Sequence, residues 1–194
     1  ATVYGHLKQA IQFNLDRTGK HGLPCGLSAD WNDCIRLGLR GESVFVAFQL
    51  RFALKEFSKL ARFQGKNSDE DWVSENLARL DNDIETHAWD GNWYLRAFRE
   101  DGYKFGSQES QEGKIFMNPQ VWAIISGHAD EERSEKILKE VEKRLLTEFG
   151  VMICDPPYKE TDHKVMLARL FNPGLKENGG IFTHTQGWMV MAEC

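Results

Sequence analysis

Pro119-Gln-Val-Trp-Ala-Ile-Ile-Ser126 and, further along, Thr185-Gln-Gly-Trp-Met-Val-Met-Ala192 are two versions of one phrase. Each has a glutamine, a tryptophan two places on, and then small and apolar residues nearly all round. A helix that is apolar on every side belongs in a core. Each phrase also follows a polar loop, Gly106-Ser-Gln-Glu-Ser-Gln-Glu-Gly113 or Lys176-Glu-Asn-Gly-Gly180, with more side-chain chemistry than a connector needs. The echo suggests an internal repeat of loop, inner helix and outer helix, the unit of a ring of helical hairpins.

Working outward from the first phrase, Pro119 suits the opening turn of its helix and Gly127 is placed to stop it. Asp130 can cap an amphipathic outer helix running through Ile137, Val141, Leu145 and Phe149, which Gly150 would end. Upstream, Ser43 to Phe63 reads as one long helix with Val44, Phe45, Phe48, Phe52, Leu54, Phe57 and Leu60 on a broad apolar face. The next helix is expected to start at Asn67 or Ser68, both suitable N-caps, and to run through Trp72, Leu77, Leu80 and Ile84 with its acidic face in solvent. The aromatic run between Asp90-Gly91 and Asp101-Gly102 breaks this rhythm and predicts a short β-hairpin near 92–106.

The expected fold is therefore mainly α, part of an (α/α)6 barrel of inner and outer helices. The helical pattern is still running at Met191-Ala-Glu-Cys194, with fewer hairpins than a six-hairpin ring requires. Residues 1–194 are accordingly expected to be a fragment of such a barrel domain.

Composition excludes several functions. Lys+Arg number 24 against Asp+Glu 29, a net charge of -5, and the basic residues are scattered among acids, so neither nucleic acid nor an anionic membrane is expected as a partner. The apolar stretches Val44–Phe48 and 121–126 fall far short of the roughly 20 residues that span a bilayer. The opening Ala1-Thr-Val-Tyr-Gly-His-Leu-Lys8 lacks the apolar region of a signal peptide. Cys25, Cys34, Cys154 and Cys194 are widely separated, as expected of reduced thiols in the cytoplasm, and Cys34 has no neighbouring histidine base that would make it a nucleophile. His6, His21, His87, His128 and His163 show no metal spacing, so no metal or organic cofactor is expected.

The strongest chemical signal is Ala29-Asp-Trp-Asn-Asp-Cys34, a loop ahead of the long helix. An indole beside a carboxylic acid suits sugar chemistry: the ring stacks on a pyranose face, and dry surroundings raise the acid's pKa so that it holds a proton near neutrality. Taken alone, Asp-x-x-Asp on a loop is more often a turn or helix cap, because aspartates readily accept nearby backbone N–H groups.

The phrases 29–34, Gly41-Glu-Ser43, Glu112-Gly-Lys-Ile115 and Lys176-Glu-Asn-Gly-Gly-Ile-Phe-Thr-His184, in that order along the chain, resemble the cellobiose and chitobiose phosphorylases of glycoside hydrolase family 94. These inverting enzymes cleave β-linked disaccharides with inorganic phosphate. The resemblance implies an (α/α)6 barrel catalytic domain, flanked in the family by an N-terminal β-sandwich and a C-terminal β-domain, within an enzyme that tends to form homodimers. It implies Asp33 as the general acid, Trp31, Lys176 and Glu177 as sugar contacts, and His184 as a phosphate ligand. The family draws further phosphate contacts from an arginine upstream and a threonine-glycine loop downstream, so this segment alone is expected to show little phosphorolysis.

A phosphorylase needs an acid but no base, because phosphate is already an anionic nucleophile; an inverting hydrolase needs a second carboxylate to activate water. The expected reaction is phosphorolysis of cellobiose to α-D-glucose 1-phosphate and glucose, with phosphate as co-substrate. N,N′-diacetylchitobiose or another β-glucoside is the alternative donor. An inverting α/α-barrel hydrolase using Glu177 and a non-catalytic carbohydrate-binding scaffold are the alternative functions. Without the resemblance, His184 reads equally as a capping histidine, Trp122 and Trp188 read as core, and Glu109, Gln111 and Glu112 carry no assigned role.

Overall fold

In chain order, the computed structural model, which describes residues 2–27 and 30–194, forms α1 (Val3–Leu15), β1 (Glu42–Ser43), α2 (Val44–Phe63), α3 (Asn67–His87), β2 (Ala97–Phe98), β3 (Lys104–Phe105), β4 (Ile115–Phe116), α4 (Met117–Ile125), α5 (Glu131–Leu145), β5 (Leu146–Thr147), β6 (Gly150–Val151), β7 (Cys154–Asp155) and α6 (Thr183–Glu193). Ala1 and Ala29, which opens the Asp-Trp-Asn-Asp phrase, lie outside the described residues. The fold is mainly α, with only short strands.

Helices α2, α4 and α6 pack side by side, α1 and α3 lie against α2, and α5 lies against α4. The two helices that carry the glutamine phrases, α4 and α6, are thus packed against each other. The starts of α2 and α4 and the segment before α6 are tied down by backbone hydrogen bonds. Val44 N–H donates to the Arg96 carbonyl at 3.2 Å, Met117 N–H to that of Ile153 at 3.0 Å, and Ile153 N–H to that of Gly180 at 3.0 Å.

The repeat extends to hydrogen bonding. Gln120 accepts the Tyr94 N–H at 2.9 Å, donates to the Tyr94 carbonyl at 2.7 Å and donates to Phe116 O at 3.0 Å. Gln186 does the same with Val151, accepting at 2.8 Å and donating at 2.9 Å, and it reaches Phe182 O at 3.3 Å. Phe116 and Phe182 are the N-cap residues of α4 and α6. In both copies one amide satisfies a full backbone pair in the preceding segment, and so locks that segment to the start of an inner helix.

Local chemistry sets the helix limits. Ser43 caps α2 by accepting from Val46 N–H at 3.2 Å, and Asp130 caps α5 by accepting from Arg133 N–H at 2.9 Å. At the end of α4, Gly127 takes φ +70, and the Gly127 and His128 N–H groups close back on Ile124 and Ala123. Ile137, Val141 and Leu145 of α5 are buried while its charged residues face outward.

Three expectations need correction. Helix α3 is capped at Lys66 with no side-chain bond, not by Asn67 or Ser68, and Asp69 in its first turn is instead taken by Tyr4 Oη and Lys8 Nζ, each at 2.5 Å. Helix α5 stops at Leu145, short of Phe149 and Gly150, because residues 146–151 turn into the β5–β6 hairpin; Gly150 (φ +129) sits in that pairing and Phe149 is exposed. The hairpin near 92–106 is present as β2–β3, but Glu42–Ser43 adds to it as the outer strand of a three-stranded sheet. Helix α1, begun by Thr2 accepting from Gly5 N–H at 3.1 Å, was not anticipated; it buries only Ile11 and Leu15.

Candidate active site

The two aspartates of the Asp-Trp-Asn-Asp phrase have opposite fates. Asp30 points inward, where the two terminal guanidinium nitrogens of fully buried Arg96 meet its carboxylate and Ser43 Oγ donates to it at 2.6 Å. Burial pushes this carboxyl up, but the Arg96 charge and the bonds from Arg96, Ser43 and Asn32 outweigh it and hold it below the ordinary aspartate value. Asn32 continues the local turn by accepting from Cys34 N–H at 3.0 Å. Asp30 is therefore a structural anchor, and the turn it anchors presents Asp33 at the surface.

Asp33 is exposed and lines an open cleft of about 640 Å³ together with Asn32, Arg36, Leu37, Arg99 and Lys164. The enclosed, dry setting expected for this acid is not supplied by the described residues. Trp31, Lys176, Glu177 and His184 do not line that cleft, but two of the loop's own residues, Trp31 and Cys34, tie His184 and Glu177 to the loop. Trp31 Nε1 donates to His184 Nε2 at 2.7 Å. The Cys34 thiol donates to Glu177 Oε2 at 3.6 Å.

Around the first of these contacts lies an aromatic group. Trp31 packs edge-on against Phe182 at 5.1 Å and Trp188 at 6.3 Å between ring centroids. His184, one turn before Trp188 on α6, meets it edge-on at 5.3 Å, and Trp188 meets Trp122 edge-on at 5.8 Å. Trp122 and Trp188 thus pack against the core, as expected.

The Lys176–Gly180 loop is pinned by a residue that the sequence did not single out. Asn178, fully buried, accepts from Tyr158 N–H at 2.6 Å and donates to the Tyr158 and Phe171 carbonyls at 2.9 Å each. Gly180 cannot carry a side chain here, since a Cβ would lie 2.4 Å from the Lys176 carbonyl. Lys176 itself has φ +47, and its exposed ammonium sits 4.9 Å from the Phe171 ring centre. The turn holds Glu177 toward Cys34 and leaves Lys176 in solvent.

Two other resembling phrases have structural work. Glu42 is buried and accepts from the N–H groups of His21 and Leu23, at 2.8 and 3.1 Å. Glu112 accepts from the backbone of Lys159, Glu160 and Thr161 at 2.7, 2.9 and 2.9 Å, stapling that loop. Among the described residues no three His, Cys, Asp or Glu side chains gather as a metal-holding group, and no helix is long and apolar enough to cross a membrane.

All 194 residues match the catalytic domain of the glycosyl hydrolase 94 superfamily. The chain is 37% identical to an N,N′-diacetylchitobiose phosphorylase of Vibrio proteolyticus over its full length and 24% of that protein. It is 35% identical to a solabiose phosphorylase of Paenibacillus borealis, covering all of this chain and 26% of the relative. It is 34% identical to the cyclic β-(1,2)-glucan synthase NdvB of Rhizobium meliloti, covering 98% of this chain and 7% of the synthase. The chain thus spans about a quarter of the phosphorylases it matches. Among solved structures, a sialidase superposes with a TM-score of 0.72 at 13% identity, covering 98% of this chain and 17% of that one. At that identity the likeness is one of fold.

Proposed function

The chain belongs to the glycosyl hydrolase 94 superfamily, and from that membership we propose that it is part of the (α/α)6 barrel catalytic domain of a cytoplasmic enzyme that cleaves a β-linked disaccharide by inverting phosphorolysis. The observation that carries this reading is the division of labour in one loop. Asp30 is buried on Arg96, which leaves Asp33 as the loop's exposed carboxyl, one residue from the Cys34–Glu177 contact and two from the Trp31–His184 bond.

In the proposed reaction Asp33 gives its proton to the glycosidic oxygen as the C1–O bond breaks, and a phosphate oxygen attacks C1 from the opposite face. The products are an α-sugar 1-phosphate and a free sugar, and Asp33 regains its proton from solvent. Inorganic phosphate is the co-substrate, and no further cofactor takes part. His184 accepts from Trp31 through Nε2, so its proton sits on Nδ1 as a donor toward phosphate. Trp31, Lys176 and Glu177 are the proposed sugar contacts.

Cellobiose is the substrate expected from the sequence phrases. N,N′-diacetylchitobiose is the second candidate, supported by the activity named for the relative from Vibrio proteolyticus. The enclosure that the open Asp33 cleft lacks is proposed to come from the rest of the enzyme. The test is a panel of β-disaccharides with the full-length enzyme, with and without phosphate. Sugar 1-phosphate should be released only when phosphate is present, and Asp33→Asn should reduce turnover about 10²–10⁴-fold while disaccharide binding survives. Phosphate-independent hydrolysis would favour a hydrolase, and unchanged turnover in Asp33→Asn would remove Asp33 from the acid role.

A further inference from the structure

Glu177 is gripped by sulfur from two sides. The Cys34 thiol donates to its carboxylate at 3.6 Å, and the Cys154 thiol donates to its main-chain carbonyl at 3.8 Å. The two thiols come from the acid loop and from β7, and they are 4% and 0% exposed. Resting on the phosphorylase reading, we propose that Cys34 is a positioning residue that sets the Glu177 carboxylate relative to Asp33, while Cys154 holds the backbone beneath it.

A thiol is a weak donor and counts only where water cannot compete. Both sulfurs meet that condition. Burial, followed by the charge of Glu177, pushes the Cys34 thiol up to about 11, and burial pushes Cys154 up to about 12, so both stay protonated and able to donate through the neutral range.

The sulfur of Cys34 is also fixed in space. Its N–H donates to Asn32 Oδ1 at 3.0 Å, and its carbonyl accepts from Leu167 N–H at 2.8 Å. On the other side, Asn178 fixes the residue after Glu177 through its bonds to Tyr158 and Phe171. The S–H···O contact therefore bridges two braced loops and sets the distance between the proposed acid and the proposed sugar-binding carboxylate. With Cys34 following Asp33 directly in the chain, a shift on one side of the bridge moves the other.

The experiment is a double-mutant cycle in the full-length enzyme, with Cys34→Ala, Cys34→Ser, Glu177→Gln and Cys34→Ala combined with Glu177→Gln, following sugar 1-phosphate release. Cys34→Ala should raise KM for the disaccharide about tenfold, the loss of one modest hydrogen bond to a charged group, and leave KM for phosphate within about twofold. Cys34→Ser, which keeps a donor, should recover a large part of the loss. In the Glu177→Gln background, Cys34→Ala should add less than about twofold. Because the cycle compares ratios, it separates this coupling from any general loss of folded enzyme. An unchanged disaccharide KM in Cys34→Ala, equal damage in the serine and alanine variants, or the full tenfold effect in the Glu177→Gln background would each overturn the proposal. If the unsubstituted enzyme phosphorolyses no β-disaccharide, the phosphorylase reading falls and takes the proposal with it.

Discussion

Trp31 Nε1 donates to His184 Nε2 at 2.7 Å, joining two residues 153 positions apart in the chain. The bond makes the proposed sugar platform the partner that chooses which imidazole nitrogen carries the proton. It also connects the 30–34 loop to the first turn of α6, so the proposed sugar and phosphate contacts share one hydrogen bond.

Trp31→Phe keeps an aromatic face but removes the donor. Nε2 of His184 is then free to take the proton, and the ring loses its orientation toward phosphate. In the full-length enzyme KM for phosphate should rise about 5- to 20-fold, in line with one lost hydrogen bond, with a smaller change in KM for the disaccharide. Initial rates over a phosphate series at saturating disaccharide will show this; an unaltered phosphate KM would mean that the bond does not orient His184.

Asp30→Asn leaves the Arg96 guanidinium buried without its counter-charge. Loss of one partner of such a pair costs about 3–5 kcal/mol, which urea unfolding will measure. The parent also has a defined acid dependence: the folded-state pKa of Asp30 is depressed, so its stabilisation is complete above the unfolded value of about 3.9 and is lost as pH falls through the lower folded value. Asp30→Asn should therefore flatten the fall in stability below about pH 4. A variant as stable as the parent, or one with the same acid limb, would contradict this account of the pair.

The two glutamine clamps should be unequal. Gln120 is fully buried, whereas Gln186 is partly exposed. Truncating Gln120 to alanine strands the Tyr94 N–H and carbonyl away from water at about 1–3 kcal/mol for each unsatisfied group. Gln186→Ala lets water reach Val151 and should cost less than Gln120→Ala. Unfolding midpoints at matched slope will rank them, and the reverse order would show that the repeat is not energetically organised in this way.

Thiol accessibility provides a direct check on the packing. Cys25, Cys34 and Cys154 are buried and Cys194 is exposed. In the full-length enzyme, peptide mapping after limited alkylation should find Cys25, Cys34 and Cys154 protected in the native state and all three labelled after denaturation. Rapid reaction of Cys34 would show that the sulfur at Glu177 is open to solvent.

Much of the helical plan can be read in the linear order. The Ser43 and Asp130 caps, the Gly127 stop and the two Gln-x-Trp phrases act over a few residues, where side-chain chemistry and 3.6-residue spacing govern structure directly. Expectations failed where a competing local arrangement took over. Phe149 fits the apolar spacing of α5, yet the chain leaves the helix to pair Leu146–Thr147 with Gly150–Val151. Asn67 and Ser68 are good caps by type, but α3 begins at Asn67 itself and the cap position falls on Lys66, which makes no side-chain bond.

The sequence by itself determined that the chain has a mainly α fold and which phrases are candidates for the site, because residue type and local spacing suffice for both. Only the tertiary structure decided what each residue in those phrases does. The two aspartates of one loop are chemically identical in the chain and become distinct when Arg96, 66 residues away, claims Asp30. Glu177 gains its sulfur partner only when Cys34 arrives from 143 residues upstream. A charge or a hydrogen bond acts over a few ångströms of space, and the order of residues does not specify which distant groups the fold brings within that reach.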